Sequence, residues 1–148
     1  GIIAKMTDVG VGWLLQRLAT TRQATVTIVC RPNEIFTDGV ERVVFGIRET
    51  SLQQSNRLAL IQKDSHWELT VGPGSVWQSP GFVRPGETFL VAISITASGT
   101  EVSLLSEDAV ILGNVGWASS GSQGEVLLFG GDSTFPWTGA VFNLAIYD

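Results

Sequence analysis

Apolar and polar residues alternate along most of the chain, which is typical of β-strands with one buried face. From Thr25 to Cys30 and from Arg42 to Arg48, every second residue is apolar, so the side chains of one strand face are all apolar. The segment from His66 to Val71 repeats this pattern, with Trp67 and Leu69 between polar neighbours. Because a period of two residues places alternate side chains on opposite faces, each segment predicts a half-buried strand. Such strands favour antiparallel sheets with one wet face.

Further strands follow from the same pattern and from the turn residues between the segments. A short first edge strand is predicted at Ile2 and Ile3, and Ser98-Gly99-Thr100 predicts a tight hairpin turn. Two stretches rich in glycine, serine and proline predict surface loops, namely Gly72 to Pro85 and Gly113 to Gly124. The remaining predicted strands are Arg57 to Gln62, Glu87 to Thr96, Glu101 to Leu105, Ala109 to Leu112, Val126 to Phe129 and a final one through Phe142 to Tyr147.

One segment near the N-terminus has a helical rather than a strand period. Thr7 or Asp8 is a suitable N-cap, and the predicted helix runs to about Ala19. Val11, Leu14, Leu15 and Leu18 fall at i, i+3, i+4 and i+7, so they share one helical face.

About ten short strands and one short helix predict an all-β fold, an antiparallel β-sandwich. Two sheets cover each other's apolar faces in such a fold, whereas a parallel sheet needs helices between its strands. The chain has 148 residues and neither a repeat nor a linker, so residues 1–148 are predicted to form one domain. The predicted core contains Phe45, Trp67, Phe89, Val91, Ile93, Phe142 and Leu144.

The composition of the chain argues against several classes of function. The net charge of −5 and scattered arginines argue against nucleic-acid binding, which needs clustered basic residues. No apolar run reaches the roughly 20 residues that span a bilayer. Cys30 is the only cysteine and His66 the only histidine, which excludes an internal disulfide and a zinc site built from either residue type. Cys30 closes a buried strand and is interpreted as an inert apolar residue.

Three stretches of the sequence carry a resemblance to a known superfamily. They are the segment Leu14 to Pro32, the hairpin Phe89 to Leu105, and the closing sequence from Leu127 to Asp148, LLFGGD followed by FPWTGAVFNLAIYD. Together they resemble the concanavalin A-like lectin/glucanase superfamily, specifically laminin-G-like (LamG) jelly-roll domains of bacterial type. The resemblance implies a concanavalin A-like jelly roll that acts as a recognition domain.

Hydrolases of that superfamily carry an E-x-D-x-x-E or E-x-D-x-E motif on one strand, and no such motif occurs here. Glu107 and Asp108 are adjacent, so they point to opposite faces of a strand. Retaining glycoside hydrolysis needs two carboxylates close together, and we therefore expect a domain without catalytic residues. His66 is interpreted as a solvated neighbour of Glu68 rather than as part of a Ser-His-Asp triad.

Calcium is the one cofactor that the resemblance makes plausible. Related domains hold one Ca²⁺ with an aspartate and loop carbonyls, since hard cations take several oxygen ligands. The candidate donors here are Asp132 in the Gly-Gly-Asp turn and Asp108 with Asn114 across a loop. The alternative is that Asp132 only makes an Asx-turn, and this alternative is favoured.

The five tryptophans divide by context. Trp13 and Trp67 lie in patterns that predict core, and Trp137 is expected to pack under the loop it begins. Trp77 and Trp117 lie in predicted loops, where they either bind a partner or cover an edge of the sandwich. Together with Asp132 they form the candidate ligand-binding edge.

The sequence therefore predicts a non-catalytic recognition module that binds a glycan or a protein through loops at one edge. It is expected to be extracellular, cell-surface or periplasmic and part of a larger protein or assembly. The alternative is a structural subunit of a multiprotein complex, whose interface is a sheet face or loop edge. A glycoside hydrolase is disfavoured because the paired carboxylates are missing.

Overall fold

The computed structural model describes residues 4–6, 16, 20–21, 23–49, 56–71, 74–96, 99–104, 110–111, 125–130 and 134–147. In this part of the chain the regular structure is almost entirely extended. No helix of the described residues is long and apolar enough to cross a membrane.

The described strands are numbered in chain order. They are β1 (Ala4–Met6), β2 (Ala24–Pro32), β3 (Glu41–Glu49), β4 (Asn56–Lys63), β5 (His66–Val71), β6 (Gly74–Gln78), β7 (Phe89–Thr96), β8 (Gly99–Leu104), β9 (Val110–Ile111), β10 (Glu125–Phe129) and β11 (Gly139–Tyr147).

These strands form two sheets in which every neighbouring pair is antiparallel. The first sheet has the order β1-β10-β3-β4-β5-β6, and the second has the order β11-β2-β7-β8-β9. β7 and β8 pair as the predicted hairpin, with Thr96 opposite Gly99. Gly99 and Thr100 belong to β8 rather than to the predicted turn, and residues 97–98 lie outside the described residues. The predicted antiparallel β-sandwich is therefore confirmed as to class.

The core lies between the two sheets and follows the predicted alternation. On β2 the inward side chains are those of Val26, Ile28 and Cys30, and on β5 they are those of Trp67 and Leu69. Of the predicted core, Phe45, Trp67, Val91 and Ile93 are buried, while Phe89 and Leu144 are partly buried and pack against the same cluster. The Trp67 and Phe89 rings meet edge-on at 5.8 Å between centroids. Such edge-to-face pairs stabilise a core beyond simple area burial.

The outer face of the first sheet is also buried near its middle. Val43, Ala59 and Ile61 form a second, smaller apolar cluster there. Ile61 on β4 is directly opposite Glu68 on β5, so Glu68 lies on this outer face beside an apolar neighbour.

The expected burial of Phe142 is wrong, because the residue is 56% exposed. A β-bulge between Val141 and Asn143 inserts one extra residue into β11 relative to β2. An extra residue reverses the alternation that follows from a period of two, so Phe142 no longer shares the buried side of Leu144. Its ring instead packs against the Arg31 guanidinium, 5.1 Å from ring centroid to Cζ.

Three further expectations concern the bounds of elements. The predicted surface loop from Gly72 to Pro85 contains strand β6, so that part of the prediction is wrong. Ile2 and Ile3 of the predicted first edge strand lie outside the described residues, and directly after them Ala4–Met6 forms an edge strand of the first sheet as described. The predicted helix lies outside the described residues except for Gln16, which is helical.

Candidate functional site

Loops from both sheets meet at one end of the sandwich, which we call the loop end and define as residues 31–40, 63–66, 79–88 and 134–138. Backbone hydrogen bonds join these loops across the molecule. Gly86 N donates to Pro32 O at 2.8 Å, Val83 N to Ser65 O at 2.6 Å, and Asn33 N to Thr138 O at 3.0 Å. Because separate loops bond directly to one another, the loop end is a single ordered surface.

Gln62 is the buried centre of this surface. The residue is fully buried at the end of β4. Its Oε1 accepts a hydrogen bond from the Trp137 indole N–H at 2.7 Å, and its Nε2 donates to Glu34 O at 2.9 Å and to Asp64 O at 3.3 Å. The side-chain amide of Gln62 thus bonds to polar groups of three loops, and its own buried oxygen and nitrogen have the hydrogen-bond partners that buried polar atoms need. The expectation that Trp137 packs under its loop is confirmed, because the ring is buried.

The loop from 79 to 88 is held by backbone and side-chain bonds at its start. Ser79 N donates to Trp67 O at 2.8 Å, and Trp67 N donates to Ser79 Oγ at 3.0 Å. Ser79 Oγ donates in turn to Gly81 O at 2.9 Å, and the Val83 side chain is buried. The backbone on both sides of Phe82 is therefore fixed.

Phe82 itself is 65% exposed, the largest exposure among the exposed large apolar residues of the described chain. Its ring lies 5.0 Å from the His66 ring, centroid to centroid, at an interplanar angle of 51°. Ser65 Oγ lies 3.2 Å from His66 Nδ1 and helps to orient the imidazole. The two rings form an aromatic surface that faces solvent, on residues whose backbone is anchored.

Most charges around the loop end are neutralised locally. Arg42 makes two bonds to the Asp38 carboxylate, at 2.7 and 2.9 Å, and its guanidinium lies 3.8 Å from the Phe36 ring centroid. Hydrogen bonds from Arg42 and from the Val40 N–H hold the pKa of Asp38 well below its usual range. The bond to Asp38 likewise raises the pKa of Arg42. Weaker surface pairs join Lys63 to Glu41 and Arg84 to Glu87, each at 3.7 Å.

The sequence-predicted site residues are only partly described by the structure. Trp77 lies in β6 and its ring is buried in the core, so the expectation of a loop tryptophan open to a ligand is wrong. Trp117 and Asp132, as well as the calcium candidates Asp108 and Asn114, lie outside the described residues. Within the described residues, no three or more His, Cys, Asp or Glu side chains are grouped so as to hold a metal ion.

The expectation of a solvated His66–Glu68 pair is also wrong. His66 contacts the Phe82 ring, whereas Glu68 is buried on the outer face of the first sheet. Phe82 was not singled out by the sequence, although an isolated phenylalanine after Ser79-Pro80-Gly81 was a usable signal. A large apolar residue in a turn-rich segment needs either a core partner or a functional reason.

Cys30 is fully buried between the sheets. Burial raises the pKa of its thiol to about 12, so the nucleophilic thiolate is absent near neutral pH. This agrees with its predicted role as a small apolar core residue.

Comparison with known proteins relates this chain to others through its fold alone. No protein-family model matches the sequence. No curated protein matches it either.

Solved structures do match the fold. A Trypanosoma rangeli sialidase in complex with 2,3-difluorosialic acid superposes with a TM-score of 0.66 at 13% identity, over 88% of this chain and 21% of the sialidase. Domain 4 of AbnA, an extracellular GH43 arabinanase from Geobacillus stearothermophilus in complex with arabinotriose, matches with a TM-score of 0.67 at 17% identity, over 86% of this chain and 61% of the domain structure.

An alginate lyase from polysaccharide lyase family 7 matches with a TM-score of 0.57 at 11% identity, over 84% of this chain and 58% of the lyase. What these proteins share with the chain is the fold. Since this chain spans about a fifth of the sialidase, the likeness concerns one part of that enzyme. The likeness to all three agrees with the antiparallel β-sandwich of this chain.

Proposed function

We propose that this domain is a non-catalytic glycan-recognition module of the LamG-like type that acts outside the cell. The observation that carries the proposal is the exposed Phe82 ring, packed against His66 on an anchored loop. Sugar rings bind proteins by laying their apolar faces on exposed aromatic rings while their hydroxyls are hydrogen-bonded at the rim. The solved neighbours support this class of ligand, because they include a sialidase, an alginate lyase and an arabinanase domain in complex with arabinotriose.

Anchoring of the loop matters for affinity. A flexible loop loses conformational freedom on binding, which opposes association, whereas an ordered loop has already lost it. The backbone of Ser79 and Val83 is fixed by hydrogen bonds to β5 and to the turn before it. The aromatic pair is therefore ready to receive a ligand without reorganisation.

A glycan array tests the proposal, with and without calcium. The wild-type domain is compared with Phe82→Ala, and Tyr147→Ala is the matched control because Tyr147 is 58% exposed at the opposite end of β11. We expect Phe82→Ala to weaken binding by about tenfold or more, the scale of an aromatic hot spot, while Tyr147→Ala binds like the wild type. Equal binding by folded Phe82→Ala and wild type contradicts the proposed site.

A second candidate function, assembly with another protein, is favoured by one observation. Val141, Phe142 and Tyr147 are exposed along β11, which is an edge strand of the second sheet among the described residues. Edge strands offer unpaired backbone groups to other chains. Light scattering over a range of concentrations tests self-association, and a monomer at all concentrations removes that form of the alternative.

A further inference from the structure

Six large apolar side chains are exposed among the described residues, and they fall into two groups. Three of them lie on β11. The other three lie at the loop end, where Ile35 is 42% exposed, Phe135 is 41% exposed and Phe82 is 65% exposed. They belong to the β2–β3, β10–β11 and β6–β7 connections respectively, each of which crosses from one sheet to the other. The loop end therefore presents one exposed apolar side chain from each of three crossing connections.

The order of the strands puts these three side chains in a row. In the first sheet, β10, β3, β4, β5 and β6 are successive neighbours. The connection that carries Phe135 leaves from β10, the one that carries Ile35 enters β3, and the one that carries Phe82 leaves from β6. Neighbouring strands lie about 4.8 Å apart, so the four spacings from β10 to β6 cover roughly 19 Å. Ile35 therefore lies between the two phenylalanines along the end of the sheet.

Gln62 joins the connections beneath this row. Its Nε2 donates to Glu34 O at 2.9 Å, directly before Ile35. Its Oε1 accepts the indole N–H of Trp137, two residues after Phe135. The third member of the row lies in the loop whose backbone is anchored to β5. The row is therefore held on ordered backbone along its whole length, so a ligand that lies across it orders little of the protein on binding.

Polar groups lie beside the apolar ones. Asn33 and Glu34 are exposed. Asn33 N donates to Thr138 O at 3.0 Å, and Thr138 Oγ1 donates to Glu34 Oε1 at 2.6 Å. Both residues therefore lie where the β2–β3 and β10–β11 connections meet, next to Ile35. An amide donates and accepts hydrogen bonds and a carboxylate accepts them, which suits the hydroxyls of a sugar whose apolar face lies on the row.

We infer that the binding site is a row of subsites from Phe82 past Ile35 to Phe135, and that the glycan is bound as a chain of several sugar units rather than through one terminal sugar. The inference rests on the proposed function and deepens it. The Phe82–His66 pair receives one sugar ring, and Phe135 with Ile35 receives another ring further along the same chain. Linked contacts strengthen each other because the second forms within a complex that already exists, so affinity rises with chain length until the row is filled.

Calorimetric titration with oligosaccharides of increasing length tests this inference. The probes are arabino-, cello-, manno- and galacturono-oligosaccharides, each from the disaccharide to the hexasaccharide. We expect the wild type to bind the hexasaccharide of its best series at least tenfold more tightly than the disaccharide. Equal affinity for all lengths of that series indicates a site for a single sugar and overturns the inference.

Phe135→Ala separates the two ends of the row. It is expected to weaken binding of the hexasaccharide about tenfold, the scale of an aromatic hot spot, and to leave the affinity for the shortest bound oligosaccharide unchanged. Phe82→Ala is expected to weaken binding at every length. Ile35→Ala is a second variant of the far end and is expected to weaken only the longer probes, by about threefold. Tyr147→Ala is the matched control, because this exposed aromatic residue lies outside the loop end, and it is expected to bind every probe like the wild type.

Thermal unfolding shows first that each variant is folded, and if Phe135→Ala is not, Ile35→Ala decides alone. If the wild type binds none of the probes and no glycan on the array, the proposed function fails and this inference fails with it. If Phe82→Ala weakens binding while the folded far-end variants bind the hexasaccharide like the wild type, only this inference fails. Binding of an extended peptide from a displayed random library, with no glycan bound, assigns the row to a protein partner and overturns both proposals.

Discussion

Replacing Gln62 by leucine is the most direct test of how the loop end is held together. Leucine fills a similar volume but leaves the buried Trp137 N–H without its acceptor, which costs about 1–3 kcal/mol. The two bonds from Nε2 to Glu34 O and Asp64 O are also lost, each with a net contribution of about 0.5–1.5 kcal/mol. Better burial of an apolar side chain offsets part of this, so we expect a net destabilisation of about 2–4 kcal/mol.

Urea denaturation measures this loss of unfolding free energy, provided that the free energy depends on urea concentration with the same slope in the wild type and the variant. For a chain of this size the expected change corresponds to a fall in Tm of roughly 5–12 °C. Gln23→Leu is the matched control, because Gln23 is exposed just before β2. Surface substitutions of that kind change stability by about 0.5 kcal/mol or less.

A double-mutant cycle with Trp137→Phe isolates the hydrogen bond itself. Phenylalanine has no indole N–H, so in that background Gln62→Leu leaves no unpaired donor behind. We expect the two substitutions together to destabilise less than the sum of the single ones by about 1–2 kcal/mol. Additive effects, within about 0.3–0.5 kcal/mol, refute the reasoning that Gln62 acts through Trp137.

Three other substitutions follow from the same structure. Gly139→Ala places a Cβ against the Trp137 ring and 2.7 Å from Arg31 O, so we expect a loss of about 1–3 kcal/mol in urea denaturation. Phe142→Ala is expected to cost less than about 1.5 kcal/mol, because the ring is exposed and its packing on Arg31 is a surface interaction; a loss above 3 kcal/mol contradicts the bulge register. Burial raises the pKa of the Cys30 thiol to about 12 in the folded protein, whereas a thiol in the unfolded chain has a pKa near 8.5. Above about pH 8.5 the unfolded state therefore loses a proton that the folded state keeps, so the stability of the wild type relative to Cys30→Ala falls by up to about 1.4 kcal/mol per pH unit. Parallel pH profiles of the two unfolding free energies exclude this linkage.

Alternation along the chain was sufficient to predict most strands and their buried faces. β2, β5 and β7 bury the side chains that a period of two predicts, because a sandwich core constrains register strongly. In β3 the prediction is wrong for Val43, because a register shift between Val43 and Phe45 places Val44 in the core and Val43 in the outer cluster. The C-terminal strand was predicted as well, but the side of Phe142 was not. A bulge adds one residue to one strand only, here to β11 relative to β2. The sequence of β11 alone does not show how it pairs with β2, so the alternating pattern could not predict the bulge.

Trp77 shows why composition misled the loop prediction. Its flanking prolines, Pro73 and Pro80, and the neighbouring glycines are typical of loops. They are also tolerated beside a strand at the edge of a sheet, where one side of the backbone needs no ladder partner. In the part of the chain that the structure describes, β6 is such an edge strand beside β5, and its Trp77 side chain is buried in the core. The position of a strand within a sheet is a tertiary property, so the local sequence could not separate the two cases.

The prediction that Glu68 forms a solvated pair with His66 failed for a different reason. Alternation assigned it correctly to the face opposite Trp67 and Leu69, and a face opposite the core is normally wet. Whether that face is covered depends on residues distant in sequence, and in the structure Ile61 beside it is buried too. Glu68 itself is 9% exposed, and its carboxylate oxygens are not among the fully buried side-chain atoms that lack a partner in the described residues. A long charged side chain can bury its methylene groups against apolar neighbours while its head stays at the surface. Burial of the residue and solvation of its charge are therefore separate properties, and alternation along one strand predicts neither of them.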